Sequence, residues 1–324
     1  MDPLSDVLRA IRLDGAYFFL AEATPPWSVS KAAARSLVPR ILPGSEHLVS
    51  YHIVVQGSCF AGLDDQPRVR LEAGDVIVFP HGDPHSLSSE DHAVPERTAT
   101  SEGCYPQTVH LGPPGKHETI IVCGFLGCDV SPYNPLLASL PRHLHVRGLF
   151  GGWLAEFPRQ VLLESALGRI GSETMLTRMS ELMFVELLRH HVEQLAPHER
   201  SWLAALRDPI VGAAITAVHE RPDHAWSLAE MAKRVATSRS VLVERFSELV
   251  GIPPMQYLTQ WRLQLAAQHL RSGTAKVAAV GMRVGYASEA AFSRAFKRAT
   301  GQSPSEWRRT HGSSPEHSAP TSAG

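Results

Sequence analysis

Two stretches of this chain, fifty positions apart, set hydrogen-bonding side chains at the same helical spacing. The first holds Arg239, Ser240, Val243 and Glu244; the second holds Glu289, Ala290, Ser293 and Arg294. Guanidinium, hydroxyl and carboxylate groups in that pattern donate and accept hydrogen bonds. No nucleophile accompanied by a base at a recognisable spacing goes with them, so the chemistry is recognition rather than bond breaking. Further cations follow each set, Arg245 and Arg262 after the first, Lys297 and Arg298 after the second. Elsewhere His52 and His85 could ligate a metal or meet a small molecule, and Cys123 and Cys128 could be oxidised.

The elements that must position the first two sets are one pattern written twice. Ser238, Phe246, Gly251, Pro254 and Tyr257 recur as Ser288, Phe296, Gly301, Pro304 and Trp307, an offset of 50. Leu228, Met231, Ala232, Arg234 and Val235 recur as Val277, Val280, Gly281, Arg283 and Val284 at an offset of 49, so the second copy has one more residue in its turn. Each copy opens with apolar residues at i, i+3 and i+7, the mark of a short helix. A turn follows, then a longer helix beginning at a serine that can cap it. Ser227, three residues before Glu230, reads as a capping box opening the first short helix. Ala232 and Gly281 are small where the paired helices must approach. Two helices across so tight a turn form a helix-turn-helix, whose second helix lies in a DNA major groove. Two copies are too few for a solenoid.

A generic helical bundle would share the turns and the apolar stripes, but not the charge. Residues 209–310 hold 14 Lys plus Arg against 7 Asp plus Glu, an excess of 7 in a chain of formal net charge −1, which leaves −8 for the remainder. Basic charge gathered on one segment of a near-neutral chain is the footprint of a polyanion partner.

The run Arg283-Val284-Gly285-Tyr286-Ala287-Ser288, with Phe292 to Arg298 and Gly301 to Arg308 after it, resembles the signature of the AraC family of bacterial transcription regulators. The resemblance covers about the last third of the chain. It implies a domain of seven helices in which a long helix from about Pro254 to Leu270 joins the two modules, Trp261-Arg262 resembling the family's linker-helix pair. It implies double-stranded promoter DNA as partner, RNA polymerase as a candidate protein partner, a homodimer, and a regulator or activator whose DNA binding needs no cofactor. With recognition helices at about 238–250 and 288–300, the side chains of Arg239, Ser240, Val243, Glu244, Ser288, Glu289, Ala290, Ser293 and Arg294 would face base edges. Glu244 and Glu289 could accept from cytosine N4 or simply be solvated. Arg245, Arg262, Lys297 and Arg298 suit phosphates, which fix position without reading sequence. Phe246, Phe292, Phe296 and Trp307 belong to the core.

Ahead of this lies a different texture. Tyr17–Leu20, Tyr51–Val55, Val69–Leu71, Val76–Phe79 and Thr119–Val122 are short β-branched and aromatic runs separated by Pro and Gly, the pattern of strands in a sandwich or barrel of jelly-roll type. Gly74, Pro80, Gly82 and His85 resemble the second conserved motif of cupin barrels, in which the histidine is a metal ligand. The partner motif should bring a His-x-His pair and a Glu, and here only His47 and His52 stand near its place. A metal in the barrel therefore rests on His52 and His85 with an incomplete ligand set. His81 and His85 are four apart, a ligand spacing on a helix but not on a turn.

The expected class is α+β in two domains: an N-terminal cupin-like β-barrel of jelly-roll type with following helices, and a C-terminal all-α domain with two helix-turn-helix motifs. Boundaries are expected at 1–150 for an effector-binding barrel, 151–195 for a helical, dimerising segment, 196–208 for a linker, 209–310 for the DNA-binding domain and 311–324 for a disordered tail. Residues 4–13 suggest a short amphipathic helix or a lead into a strand. Residues 153–167 and 173–195 carry helical patterns, the second with Leu176, Met179, Met183, Leu187 and Leu188 on one side, to pack on the barrel, on a second protomer, or on both. Residues 86–116, rich in Ser, Pro, Gly, Glu and His, read as a loop, either disordered or a lid.

Composition narrows the class. A chain of 324 residues with 44% hydrophobic content has room for about two folded domains. No run of eighteen apolar residues occurs and residues 1–6 lack a secretory pattern, so a cytoplasmic, non-membrane protein is expected. The 4 cysteines are too few and scattered for a disulfide framework. On a straight strand Cys123 and Cys128 would lie about 16 Å apart on opposite faces, beyond bridging range, unless the intervening glycines bend it; buried inert thiols and a redox switch are the two readings. The leading function is a sequence-specific transcription regulator whose DNA binding responds to a small-molecule or redox signal in the barrel. The alternative is a cupin metalloenzyme fused to a DNA-binding domain, which would need several ligands and an open position.

Overall fold

A computed structural model describes residues 2–91, 96–97, 107–149, 154–167, 169–196 and 198–312. The chain divides into two compact units, one of residues 12–129 with 137–197, the other of residues 1–11 with 130–136 and 198 onward.

The first unit is a two-sheet β structure. Its strands are β1 (Asp14–Ala23), β2 (Ser28–Lys31), β3 (His47–Gln56), β4 (Ser58–Leu63), β5 (Val69–Glu72), β6 (Val76–Phe79), β7 (His85–Ser88), β8 (Glu96–Arg97), β9 (Gln107–Leu111), β10 (Thr119–Cys128) and β11 (Leu144–Val146). One sheet runs β11-β6-β3-β10-β1-β9 and the other β5-β4-β7-β2-β8. Between them, Ala21, Ala23, Val29, Val54, Ala61, Leu71, Phe79, Leu87 and Ile121 are buried. Alternation decides which residues join that core: Ala21 and Ala23 of β1 face inward, so Glu22 faces out.

The five expected strand runs all lie in strands of this unit. β9 corrects the reading of 86–116 as loop: residues 107–111 pair in parallel with Phe19–Ala23 of β1. Their signal is masked by flanking polar residues, and the pairing is long-range. Residues 92–95 and 98–106, with Cys104, lie outside the described residues.

Two helices complete the unit, here numbered α4 (Phe157–Leu167) and α5 (Ser172–Gln194). Pro158 sits in the first turn of α4, where a missing N–H costs nothing. Leu176, Ser180, Met183, Phe184, Leu187 and Leu188 of α5 are buried, and Ser180 Oγ lies 2.9 Å from Tyr51 Oη of β3, so this helix packs on the barrel.

The second unit is helical. It contains α1 (Pro3–Ala10), α6 (Trp202–Ala205), α7 (Val211–Glu220), α8 (Leu228–Arg234), α9 (Arg239–Val250), α10 (Pro254–Ser272), α11 (Val277–Arg283), α12 (Glu289–Thr300) and α13 (Pro304–His311). Short α2 (Val38–Ile41) belongs to the first unit, and α3 (Pro135–Ser139) begins in the second and ends in the first. Two boundary expectations change. Residues 1–11 group with the helices rather than the barrel: Gln264 Nε2 on α10 donates to Ala10 O at 3.1 Å, and Gln268 Nε2 donates to Arg9 O at 3.2 Å. The stretch 196–208 is not a bare linker either, because Trp202 and Leu203 are buried and the Trp202 indole donates to Tyr257 Oη at 2.9 Å. The expected tail falls outside the described residues from 313 onward.

Candidate nucleic-acid interface

Both copies of the repeat fold alike because the same local devices act in each. Ser238 Oγ accepts from Val241 N and Ser288 Oγ accepts from Ala291 N, each at 3.2 Å, capping α9 and α12. Both helices end on glycine in the left-handed region, Gly251 at φ 82° and Gly301 at φ 76°, where a Cβ would be strained. Phe246 and Phe296 are fully buried at matching positions, as are Tyr257 and Trp307 against them. Gly281 is small for the reason expected: a Cβ there would meet the Phe292 side chain at 3.0 Å. The capping box is only half made at α8. Ser227 Oγ accepts from Glu230 N, but the Glu230 carboxylate turns to His224 Nε2 at 2.7 Å. A complete box opens α13 instead, between Ser303 and Glu306.

With the core side of each second helix fixed, the opposite side is set. Arg239, Ser240 and Glu244 are exposed on α9 and Val243 is half-buried; Glu289, Ala290 and Arg294 are exposed on α12 and Ser293 is half-buried, with the cap Ser288 exposed. The residues singled out from spacing thus share the outer face and first two turns of their helices. Val241, 43% exposed in the first turn of α9, is an apolar side chain on that face that the sequence reading passed over.

The cations divide. Lys297 and Arg298 are exposed, and with Arg294 they make no ion pair among the described residues. Arg294 and Arg298 line a cleft with Thr259 and Tyr286. Arg245 is instead held by Asp208, with Nε at 2.7 Å and Nη2 at 2.6 Å from one carboxylate oxygen, which raises its pKa further. Arg262 is a correction to the expected phosphate set. It is half-buried, its Nε donates to Pro222 O at 2.6 Å and its Nη2 to His224 O at 2.7 Å, and burial lowers its pKa. Its donors fix the loop before α8 to α10, and its contact with that loop depends on tertiary packing that spacing does not reveal.

In the barrel, His52 and His85 come together although they sit on different sheets. Their Nε2 atoms are 2.8 Å apart, and His85 Nδ1 is 2.9 Å from Asp83 O. Both are 1% exposed; burial lowers the pKa of His85 to about 4 and that of His52 well below its usual value. At 2.8 Å the two nitrogens share a proton. Lys31, the register partner of His85, stands over the Phe19 ring at 4.4 Å, with its pKa lowered by burial. Sequence reading missed it, because its neighbourhood depends on the pairing of β2 with β7.

Cys123 and Cys128 lie on β10, which pairs with β3 from Ile121 to Cys128 without a break, so the glycines between them do not bend it. Both thiols are buried and pushed up to about 12 by burial, the environment of an unreactive thiol. No helix among the described residues is long and apolar enough to cross a membrane.

A family model described as Cupin matches residues 2–193, and one described as Helix-turn-helix domain matches residues 231–310. A Streptomyces antibioticus protein named as an AraC-like transcription regulator is 31% identical over 319 residues, covering 95% of this chain and 99% of that one. The HTH-type transcriptional regulator AlkR of Acinetobacter baylyi is 28% identical over 316 residues, with the same shares, 95% and 99%. Among solved structures, the C-terminal domain of AraT, a response regulator from Geobacillus stearothermophilus, is 31% identical and covers 34% of this chain and 91% of its own, with a TM-score of 0.33.

Proposed function

The chain belongs to the AraC family of DNA-binding transcription regulators and carries a cupin N-terminal domain, and from that premise we propose that α9 and α12 read two successive major grooves on one face of a promoter. Arg239, Ser240, Val243 and Glu244 contact base edges in one groove, and Ser288, Glu289, Ala290, Ser293 and Arg294 in the next. Lys297 and Arg298 hold phosphates. Arg245 joins them only when it leaves Asp208, and Arg262 positions rather than binds. The observation that carries this reading is the pair of equivalently capped helices with exposed polar side chains on their outer faces, Arg239, Arg294, Lys297 and Arg298 making no ion pair among the described residues.

The barrel is the sensing part. A small effector entering it would meet Lys31, His52 and His85, three nitrogen groups, which suits an anionic or hydrogen-bond-accepting molecule. A redox signal through Cys123 or Cys128 is disfavoured by their burial, and a barrel metalloenzyme is disfavoured because, among the described residues, His52 and His85 belong to no group of three metal-ligating side chains. Acting on promoters places the protein in the cytoplasm, with RNA polymerase as its working partner. Met175, 49% exposed, and Leu182, 53% exposed, on α5 offer an apolar face to a second copy; sedimentation of the full chain should give a dimer, and a monomer at every concentration would remove that element.

The test is selection of bound fragments from the source genome by the full chain, followed by anisotropy titration at several salt concentrations. Selected promoters should bind with an affinity that falls steeply with salt. Retention of no fragment above background would overturn the proposal.

A further inference from the structure

Outside the barrel, three metal-ligating side chains converge on the edge of the larger sheet. β1 lies between β9, which runs parallel to it, and β10, which runs antiparallel. Because Ala21 and Ala23 turn into the core, Glu22 turns out. Its register partner on β9 is His110, so backbone pairing sets these two side by side. The return loop brings the third. Thr24 N donates to Leu111 O at 2.9 Å and Glu118 N donates to Ala23 O at 3.0 Å, which folds residues 112–117 back over the end of β1. Gly112 makes that turn at φ 80°, where a Cβ would meet Thr24 O at 1.9 Å. His117 then lands beside Glu22.

The distances fit a shared cation better than hydrogen bonds. His110 Nδ1 and His117 Nε2 each lie 3.4 Å from the same oxygen, Glu22 Oε2. That exceeds the 2.7–3.2 Å of N–H···O bonds. It matches the edge, about 3.4 Å, of a tetrahedron whose centre is about 2.1 Å from each ligand atom, as in zinc sites. All three ligand atoms lie within 4.8 Å of one another, and among the described residues this is the one such group of three. The two imidazoles are stacked, centroids 5.2 Å apart and planes 18° apart. The other nitrogen of His117, Nδ1, is 3.4 Å from Thr24 Oγ1.

We propose that Glu22, His110 and His117 form a binding site for a divalent transition-metal ion, zinc in particular, on the outer face of the barrel. Two imidazoles and one carboxylate are a zinc ligand set; magnesium and calcium prefer oxygen alone. Three protein ligands leave a fourth position for water or an exogenous ligand. The ion would clip β9, the edge strand, and the return loop to β1.

The test uses the full chain, freed of metal by chelation, titrated with zinc chloride by calorimetry, and with cobalt chloride by visible absorption. Expected are one tight zinc per chain, no response to magnesium chloride, and a four-coordinate cobalt spectrum. His110→Ala, His117→Ala and Glu22→Gln should each weaken zinc at least about tenfold while melting as the parent does in chelator. Absence of zinc binding by the parent would overturn the proposal, as would zinc binding undiminished in the double variant His110→Ala, His117→Ala. The cobalt spectrum of the parent answers even if a variant folds poorly: a six-coordinate spectrum, or none, rejects the site.

Discussion

At matching positions of the two helix-turn-helix copies, α9 carries Glu244, Ser247 and Glu248 where α12 carries Arg294, Lys297 and Arg298. Of the two cations on α9, Arg239 is exposed and Arg245 is paired with Asp208, while Glu248 pairs with Arg200 at 2.7 Å. The inward positions show no such divergence, with Phe246 and Phe296 both fully buried and Ser238 and Ser288 both capping. The lesson is a division of labour. One scaffold, fixed by burial and caps, presents an electrically neutral reader in the first copy and a cationic one in the second. In the proposed function, phosphate attraction is then concentrated on α12, while α9 contributes shape and base contacts.

The largest expected effect tests the shared scaffold. Phe246→Ala and Phe296→Ala should each destabilise the helical unit by about 3–5 kcal/mol, measured by denaturant unfolding of the full chain. A loss confined to one copy would break the equivalence. The next separates the outer faces. Arg294→Ala should relax preference at one base position by about 1–3 kcal/mol in competition binding across site variants, and Glu244→Ala should leave the salt slope unchanged. A uniform loss over all sequences would reassign Arg294 to phosphate. The smallest sharpens the contrast. Asp208→Asn keeps an oxygen to accept from Ile210 and Val211 N–H but releases Arg245, and should steepen the dependence of log affinity on log salt by about 0.9, one added phosphate contact. No change would mean that Arg245 stays off the DNA.

The barrel adds a pH dependence of its own. His52 and His85 have folded pKa values below the ordinary 6.5, about 4 for His85, so the unfolded chain binds more protons between those limits. Their neutral burial stabilises the fold above about pH 6.5, and that contribution is lost as pH falls toward about 4. Acid unfolding of the parent should show the loss in this window, and His85→Gln should reduce it.

What could be read from the residues alone follows the same physics. The doubled helices were legible because burial restricts residue type at fixed spacing, so Phe246 and Phe296, or Gly251 and Gly301, repeat. Five strands were legible from β-branched runs. The meeting of His52 with His85, the approach of Lys31, the inward turn of Arg262 and the Glu22–His110 pairing were not, because each depends on which distant strand or loop packs alongside, and one residue of register changes every partner. The docking of α1 was not legible for the same reason: its helical pattern was visible, but nothing local says that Gln264 will hold its end.

One chain is proposed to lay two helices in adjacent grooves. Hydroxyl-radical footprinting of the full chain on a selected promoter tests it most directly. The account predicts two protected patches on one face of the duplex, about one helical turn or 34 Å apart, of which the patch under α12 weakens first when Lys297 and Arg298 are changed to Ala. A single patch, or protection that ignores those changes, would contradict it.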